Sequence, residues 1–143
     1  MNEIAEDLYE ELSEKFELGF GFNPSIHPKD WPSIKEPNPS ITFSIEADVE
    51  FEDILTEAFL QLSKSKKISY ILDWYHQYYY VSDEQKEFSL YDDGDYIINL
   101  SQDFSQGTFG HPWEQTLCVF GKELVDLTKD KLKNRVNIKR IHV

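Results

Sequence analysis

Apolar and polar positions alternate along this chain in two different periods, and the changes of period mark out its elements. From Asn2 to Glu17, Ile4, Leu8, Leu12 and Phe16 recur at steps of four, which predicts a helix with one apolar stripe, with Asn2 as its cap. Leu18 to Pro39 holds five of the six prolines, two glycines and the aromatics Phe20, Phe22 and Trp31. Proline denies that stretch a helix or a central strand, so it reads as an ordered loop pinned by aromatics. Ser40 to Glu46 alternates strictly, with Ile41, Phe43 and Ile45 on one face, and predicts a half-buried strand.

Asp48 then caps a second predicted helix carrying Phe51, Ile54, Leu55, Ala58, Phe59 and Leu62 at helical spacing. Lys64, Lys66 and Lys67 suit its C-terminal end, where cations meet the negative pole of the helix dipole. Lys67 to Val81, rich in Ile, Tyr and Trp, predicts one strand with Tyr70, Leu72 and Trp74 facing one way, and Ser82 to Lys86 turns the chain. Strands over Phe88 to Tyr91 and Tyr96 to Leu100 flank Asp92-Asp93-Gly94-Asp95, a tight hairpin turn because Asp-Gly tolerates positive φ. Gln106 to Glu114 reads as an irregular loop and Gln115 to Phe120 as a strand. Gly121 breaks that strand, Lys122 to Lys133 forms a helix with Leu124, Leu127 and Leu132 inside, and Val136 to Val143 is a last edge strand. Consecutive strands on short turns, with no βαβ repetition, predict one α+β domain over residues 1–143: a mostly antiparallel sheet with two or three helices packed on it.

Charge narrows the classes of partner. Asp and Glu number 27 against 14 Lys and Arg, a net of −13. Seven of the fourteen basic residues crowd into the last 22 positions, so the first 121 carry 24 acids against 7 bases. Nucleic acid and anionic membranes are thereby disfavoured, since phosphate binding needs a basic face. A basic protein partner is favoured, and Glu3, Glu10, Glu14 and Glu17 on the N-terminal helix, with Asp92, Asp93 and Asp95, are its candidate contacts. The tyrosine-rich run adds Tyr75 and Tyr79, because alternation buries only half of its rings and exposed tyrosines favour protein interfaces. No apolar segment of about 7–15 residues opens the chain and none of about 20 occurs, so neither a signal peptide nor a membrane span is expected, and the compartment reads as cytoplasmic. Oligomeric state is not legible.

The candidate chemistry is thin. His76, His111, Asp73, Asp103 and Glu114 carry the right groups for a metal or an acid–base pair, but their spacing matches no ligand pattern. His111 has a second reading, as a hydrogen-bonded ring that holds the Gly110-His111-Pro112-Trp113 turn. Ser101 and Ser105 lack the setting of an exposed nucleophile, and Cys118, the single cysteine, sits in an apolar strand where burial is expected. No catalytic residue, metal or cofactor is therefore assigned. Gly107, Gly110, His111, Pro112 and Trp113 are expected to be architectural, with Phe109 and Trp113 anchoring the loop to the sheet as buried aromatics.

The run GTFGHPWEQTLCVFG from Gly107 to Gly121 resembles a family of small proteins from Bacillus-like Gram-positive bacteria known as a domain of unknown function. The likeness extends to Pro32-Ser33-Ile34-Lys35-Glu36-Pro37, Pro39-Ser40-Ile41-Thr42 and Leu72-Asp73-Trp74 with His76. It implies a domain spanning most of the chain and carries no reaction or substrate. In size, acidity and class the chain is also similar to the immunity proteins that such bacteria pair with secreted toxins, many of them basic nucleases. That likeness implies an antitoxin that neutralises a cognate toxin through its acidic surface. The competing expectation is a small-molecule-binding or enzymatic domain using the Gly107–Glu114 loop beside His76.

Overall fold

A computed structural model describes residues 2–3, 7–8, 10–12, 14–15, 36–45, 50–73, 79–80, 90–91, 96–132 and 134–142. The described strands are β1 (Asn2–Glu3), β2 (Ser40–Ser44), β3 (Ile68–Asp73), β4 (Tyr79–Tyr80), β5 (Ile97–Ser101), β6 (Gly107–His111), β7 (Thr116–Phe120) and β8 (Ile138–His142). They form one sheet in the order β1-β4-β3-β5-β6-β7-β2-β8, and every pairing is antiparallel. Two helices, α1 (Phe51–Gln61) and α2 (Lys122–Leu132), join a 3-10 turn η1 (Lys64–Lys66) and helical backbone at 7–8, 10–12 and 14–15. The fold is α+β.

The helical spacing explains what each helix buries. Phe51, Leu55, Ala58 and Phe59 of α1 and Leu124, Val125 and Leu132 of α2 face Ile41, Phe43, Leu117 and Val119 of the sheet. Each fully buried side chain of this kind contributes about 1.5–3 kcal/mol. Lys67 donates from Nζ to the carbonyl of Leu60 at the end of α1, the cation-to-carbonyl contact that the lysine cluster predicted. Ser63 donates from its backbone N and its hydroxyl to the Glu123 carboxylate, at 2.6 and 3.0 Å, joining the end of α1 to the start of α2.

The opposite face of the sheet is covered as well. Tyr70, Tyr96, Ile98, Leu100, Phe109, Cys118 and Phe120 form a second core with Leu12, and Leu8 packs against it. Leu8 and Leu12 belong to the predicted N-terminal stripe; Ile4 and Phe16 lie outside the described residues. Two layers of cover overturn the half-buried reading of Ser40 to Glu46. Ser40 and Thr42, on the polar side of that alternation, are as buried as Ile41 and Phe43. Alternation reports polarity and not depth, so a polar face inside a second core looks the same in sequence as a wet one.

Other expectations are corrected by long-range pairing. Asn2 does not cap a helix: it lies in β1, opposite Tyr80. The helix expected to start at Asp48 begins at Phe51 after Glu50, with no side-chain cap bond, and Asp48 lies outside the described residues. The single strand expected from Lys67 to Val81 is two strands, β3 and β4, paired through Tyr70 with Tyr80 and Ile71 with Tyr79. No glycine or proline marks the reversal between them, so β propensity ran across it. Leu90 and Tyr91 are not in a strand, and the Asp92–Asp95 hairpin turn lies outside the described residues, as do Phe88 and residues 82–86.

The irregular loop expected over Gln106 to Glu114 is also corrected. Its first half is β6, buried at all five positions. The glycines mark close contact here, not irregular backbone. A Cβ on Gly107 would sit 2.2 Å from the Asn99 carbonyl and 2.6 Å from the Phe120 ring, and one on Gly110 would sit 2.4 Å from the Leu90 carbonyl. The turns lie outside β6, at 102–106 and 112–115.

Candidate functional site

On the face of the second core, Thr42 lies opposite Cys118 on one side and Arg140 on the other. Residues directly opposite in antiparallel strands project to the same face, so this row places Arg140 on that face, and its long side chain reaches the β6–β7 turn at Glu114. There Arg140 meets two carboxylates. Its Nε donates to Glu36 Oε1 at 2.9 Å and its Nη2 to Glu36 Oε2 at 3.0 Å. Its Nη1 donates to Glu114 Oε2 at 3.0 Å, and Nη2 also donates to Glu114 Oε1. Thr42 Oγ1 adds a 2.6 Å bond to Glu36, Thr116 Oγ1 a 2.7 Å bond to Glu114, and His142 Nε2 lies 3.0 Å from Glu36.

These bonds set the charges. Burial pushes the Glu36 carboxyl upward, but hydrogen bonds from Arg140, Thr42 and His142 outweigh it and hold the group below its ordinary value. Glu114 follows the same logic, with Arg140 and Thr116 outweighing burial. Hydrogen bonds donated to Glu36 and then to Glu114 raise the Arg140 guanidinium further above its already high value. The Glu36 side chain is 7% exposed and that of Arg140 36%, so the clasp is sheltered at one end and wet at the other.

The β6–β7 turn is built on His111. Its Nδ1 accepts from the Glu114 backbone N at 3.0 Å, which leaves the ring proton on Nε2, and its carbonyl accepts from Gln115 N at 2.9 Å. Gln115 adopts φ 59 to close the turn. The ring stands edge-on to Tyr96 and Phe109, at 5.2 and 6.0 Å between centroids. Burial lowers its pKa, and the positive charge of Arg140 adds to that against the pull of Glu114 and Glu36, so the ring is neutral at neutral pH. His111 thus holds the turn. Trp113 does not anchor it as a buried aromatic: it lies past the end of β6 and is 60% exposed.

The second turn is organised by Asp103, whose Oδ1 accepts from Ser101 Oγ, Ser105 N and Ser105 Oγ at 2.7, 3.0 and 2.7 Å. Those bonds aim Gln106, whose Oε1 accepts from Leu124 N at 3.0 Å and satisfies an orphan amide at the start of α2. Asp103 is thus committed to one turn and Glu114 to another. Chemically, the Arg140 clasp is suited to holding and not to proton transfer, since both carboxylates are weak bases and the guanidinium does not give up its proton. Among the described residues, no group of three or more His, Cys, Asp or Glu side chains converges on a metal position. No helix among them is long and apolar enough to cross a membrane.

The proposed partner contacts fall unevenly. Glu10 and Glu14 are exposed on the N-terminal helical backbone. Glu3 and Tyr79 face each other in register across β1 and β4, with only their backbones described. Glu17, Tyr75, Asp92, Asp93 and Asp95 lie outside the described residues, as does His76. Sequence reasoning missed Glu36, Arg140 and His142. Arg140 and Glu36 are 104 positions apart, and no spacing rule reaches that far.

Residues 3–125 match the model of a family described as "Protein of unknown function (DUF2716)". The chain belongs to that family. The match includes Glu36, the β6–β7 turn and the start of α2 but ends before β8, so Arg140 and His142 stand outside it. Among curated proteins, the chain is 34% identical over 86 residues to the uncharacterized protein YxiI of Bacillus subtilis (strain 168). That alignment covers 54% of this chain and 53% of YxiI, so the chain spans about half the length of that relative. No solved structure matches.

Proposed function

We propose that this domain is an immunity protein: a cytoplasmic antitoxin that binds a cognate toxin of basic surface, a nuclease, and neutralises it. The observation that carries the reading is how the acids are distributed. Asp7, Glu10, Glu11 and Glu14 on the N-terminal helical backbone, and Glu50, Glu52, Asp53 and Glu57 at α1, are all exposed. Of these, Glu11 pairs with Lys15 at 3.1 Å and Glu57 with Lys131 at 3.6 Å in the ion pairs seen among the described residues. Arg140, by contrast, spends its charge inside the clasp. The exposed acidity is therefore available to a partner, while the groups best placed for chemistry neutralise one another.

An acidic surface opposes a nuclease in two ways. It offers carboxylates where the enzyme binds phosphates, and its field draws the basic partner in, which raises the association rate at low salt. Reversing Glu10 and Glu14 to Lys tests this against a candidate toxin domain encoded in a neighbouring reading frame. The double variant is expected to fold normally, to associate about 10-fold more slowly at low salt, and to show a flatter salt response. Full protection of cells by the variant, with an unchanged salt response in vitro, means that the acidic face is only solvated and moves the contact to the tyrosine-rich strand; failure of wild type to bind or protect overturns the reading.

A further inference from the structure

β8 closes one end of the sheet, and among the described residues no strand lies on its outer side. Half of an edge strand's backbone N–H and C=O groups point away from its one neighbour. The side chains of β8 are open too, since four of its five residues are exposed. Of the four large apolar side chains that stand exposed among the described residues, two are on this strand: Ile138 at 36% and Ile141 at 54%. They lie opposite Phe43 and Ile41, which belong to the core beneath α1 and α2. That core therefore runs out to β8 and stops there uncovered. We infer that β8 is a docking edge, which accepts an extended acidic segment of a partner protein as one more strand of the sheet. This goes beyond the antitoxin reading and does not depend on it, since it concerns another part of the chain and the opposite charge.

Charge selects the occupant. Residues 131–143 hold five bases, Lys131, Lys133, Arg135, Lys139 and Arg140, and no acid, in a chain of net −13. Lys131 pairs with Glu57, and Arg140 is taken up by its clasp. Arg135 and Lys139 are exposed and enter no ion pair among the described residues. Lys139 falls where the β2–β8 register shifts, between Arg140 opposite Thr42 and Ile138 opposite Phe43, so no β2 residue stands across from it. A lysine at an irregular point of an edge strand discourages indiscriminate pairing. An incoming carboxylate turns the same charge into a cross-strand attraction. A second copy of the chain fits less well: pairing β8 with itself brings Lys139 and Arg140 against the same bases, and each chain carries −13. The Arg140 bonds to Glu36 and Glu114 hold the strand in place before anything arrives, so docking orders little that is not already ordered. A segment alternating apolar and acidic residues continues the backbone ladder, covers Ile138 and Ile141 and answers Lys139.

The test titrates the full chain with two peptides of about ten residues, one alternating valine with glutamate and one alternating valine with lysine. The acidic peptide is expected to bind about 10-fold tighter at low salt and to slow amide exchange in β8. Lys139→Glu should abolish that preference at an unchanged melting temperature, and Ile141→Ser should weaken the acidic peptide by about threefold or more. If neither peptide binds, if both bind equally, or if Lys139→Glu leaves the preference intact, the inference is overturned. Binding without added protection in β8 places the peptide elsewhere and overturns it as well. If wild type is a dimer that Ile141→Ser dissociates, the edge belongs to a second copy of this chain and the acidic partner is ruled out.

Discussion

Arg140 and Glu36 form a two-point ion pair, Nε to Oε1 at 2.9 Å and Nη2 to Oε2 at 3.0 Å, and it fastens the last strand of the sheet to the segment before β2. β8 has little else on its side-chain surface to hold it, since four of its five residues are exposed. Arg140→Met is expected to cost about 2–3 kcal/mol, between the values for exposed and buried pairs, because it leaves Glu36 and Glu114 without their shared cation. Adding Glu36→Gln to that variant is expected to cost less than the sum of the single changes. Denaturant unfolding of the cycle measures the coupling, and strict additivity would show that the pair contributes nothing.

The same groups set the acid limit of the fold. Glu36 and Glu114 have depressed pKa values in the folded state, so the unfolded chain takes up their protons first as pH falls. Their contribution is complete above the ordinary carboxylate range and is lost from about pH 5 downward. His111 is depressed too, and its share is complete above the ordinary histidine value and lost as pH falls through the lowered one. Urea melts across pH are expected to show a shallower acid limb for Glu36→Gln/Glu114→Gln than for wild type. Parallel limbs would assign the acid sensitivity to other groups.

Cys118 should be chemically silent in the native protein. It is fully buried, and burial pushes its thiol up to about 12, with Glu36 adding to the effect. Only the thiolate is a good nucleophile. A thiol reagent at neutral pH is therefore expected to label Cys118 at the rate of global unfolding, and urea should accelerate labelling in step with the loss of helix signal. Rapid labelling in buffer alone would contradict the burial.

Gln106 and Gly121 are predicted to be coupled. Gly121 has φ 97, and a Cβ there would lie 2.2 Å from Gln106 Oε1, the atom that accepts from Leu124 N. Gln106→Ala is expected to cost about 1–2 kcal/mol, as for loss of a helix cap. Gly121→Ala should cost more in the wild-type background than in Gln106→Ala, where the side chain it displaces is already gone; equal costs in both would leave only backbone strain and the close approach of the Ser105 carbonyl, 2.3 Å from such a Cβ. Thermal melting of the four proteins reads this directly.

The exposed Trp113 shows where a local reading stops. Its sequence setting, a proline and two nearby glycines around aromatics, matches that of a buried anchor, and Phe109 four residues earlier is one. Which of the two rings goes inside depends on register: Phe109 stands opposite Ile98 and Cys118 within β6, whereas Trp113 lies past its end.

The sequence by itself determined what local periodicity can carry: α1 and α2 with their inner faces, the Leu8 and Leu12 stripe, the strands near Ser40, Ile97, Thr116 and Ile138, the α+β class and the family. Helix and strand periods are short-range, so they survive without knowledge of neighbours. Only the tertiary structure decided that β2 is buried on both faces, that residues 68–80 contain a strand pair, and that Gly107 and Gly110 belong to a buried strand. Each of these depends on what packs from far along the chain: Leu12 over the second core, Tyr80 against Tyr70, the Phe120 ring over Gly107. The Arg140 clasp is the extreme case, because its partners are set by strand order and register, and a guanidinium acquires its meaning only from the carboxylates that the fold brings to it.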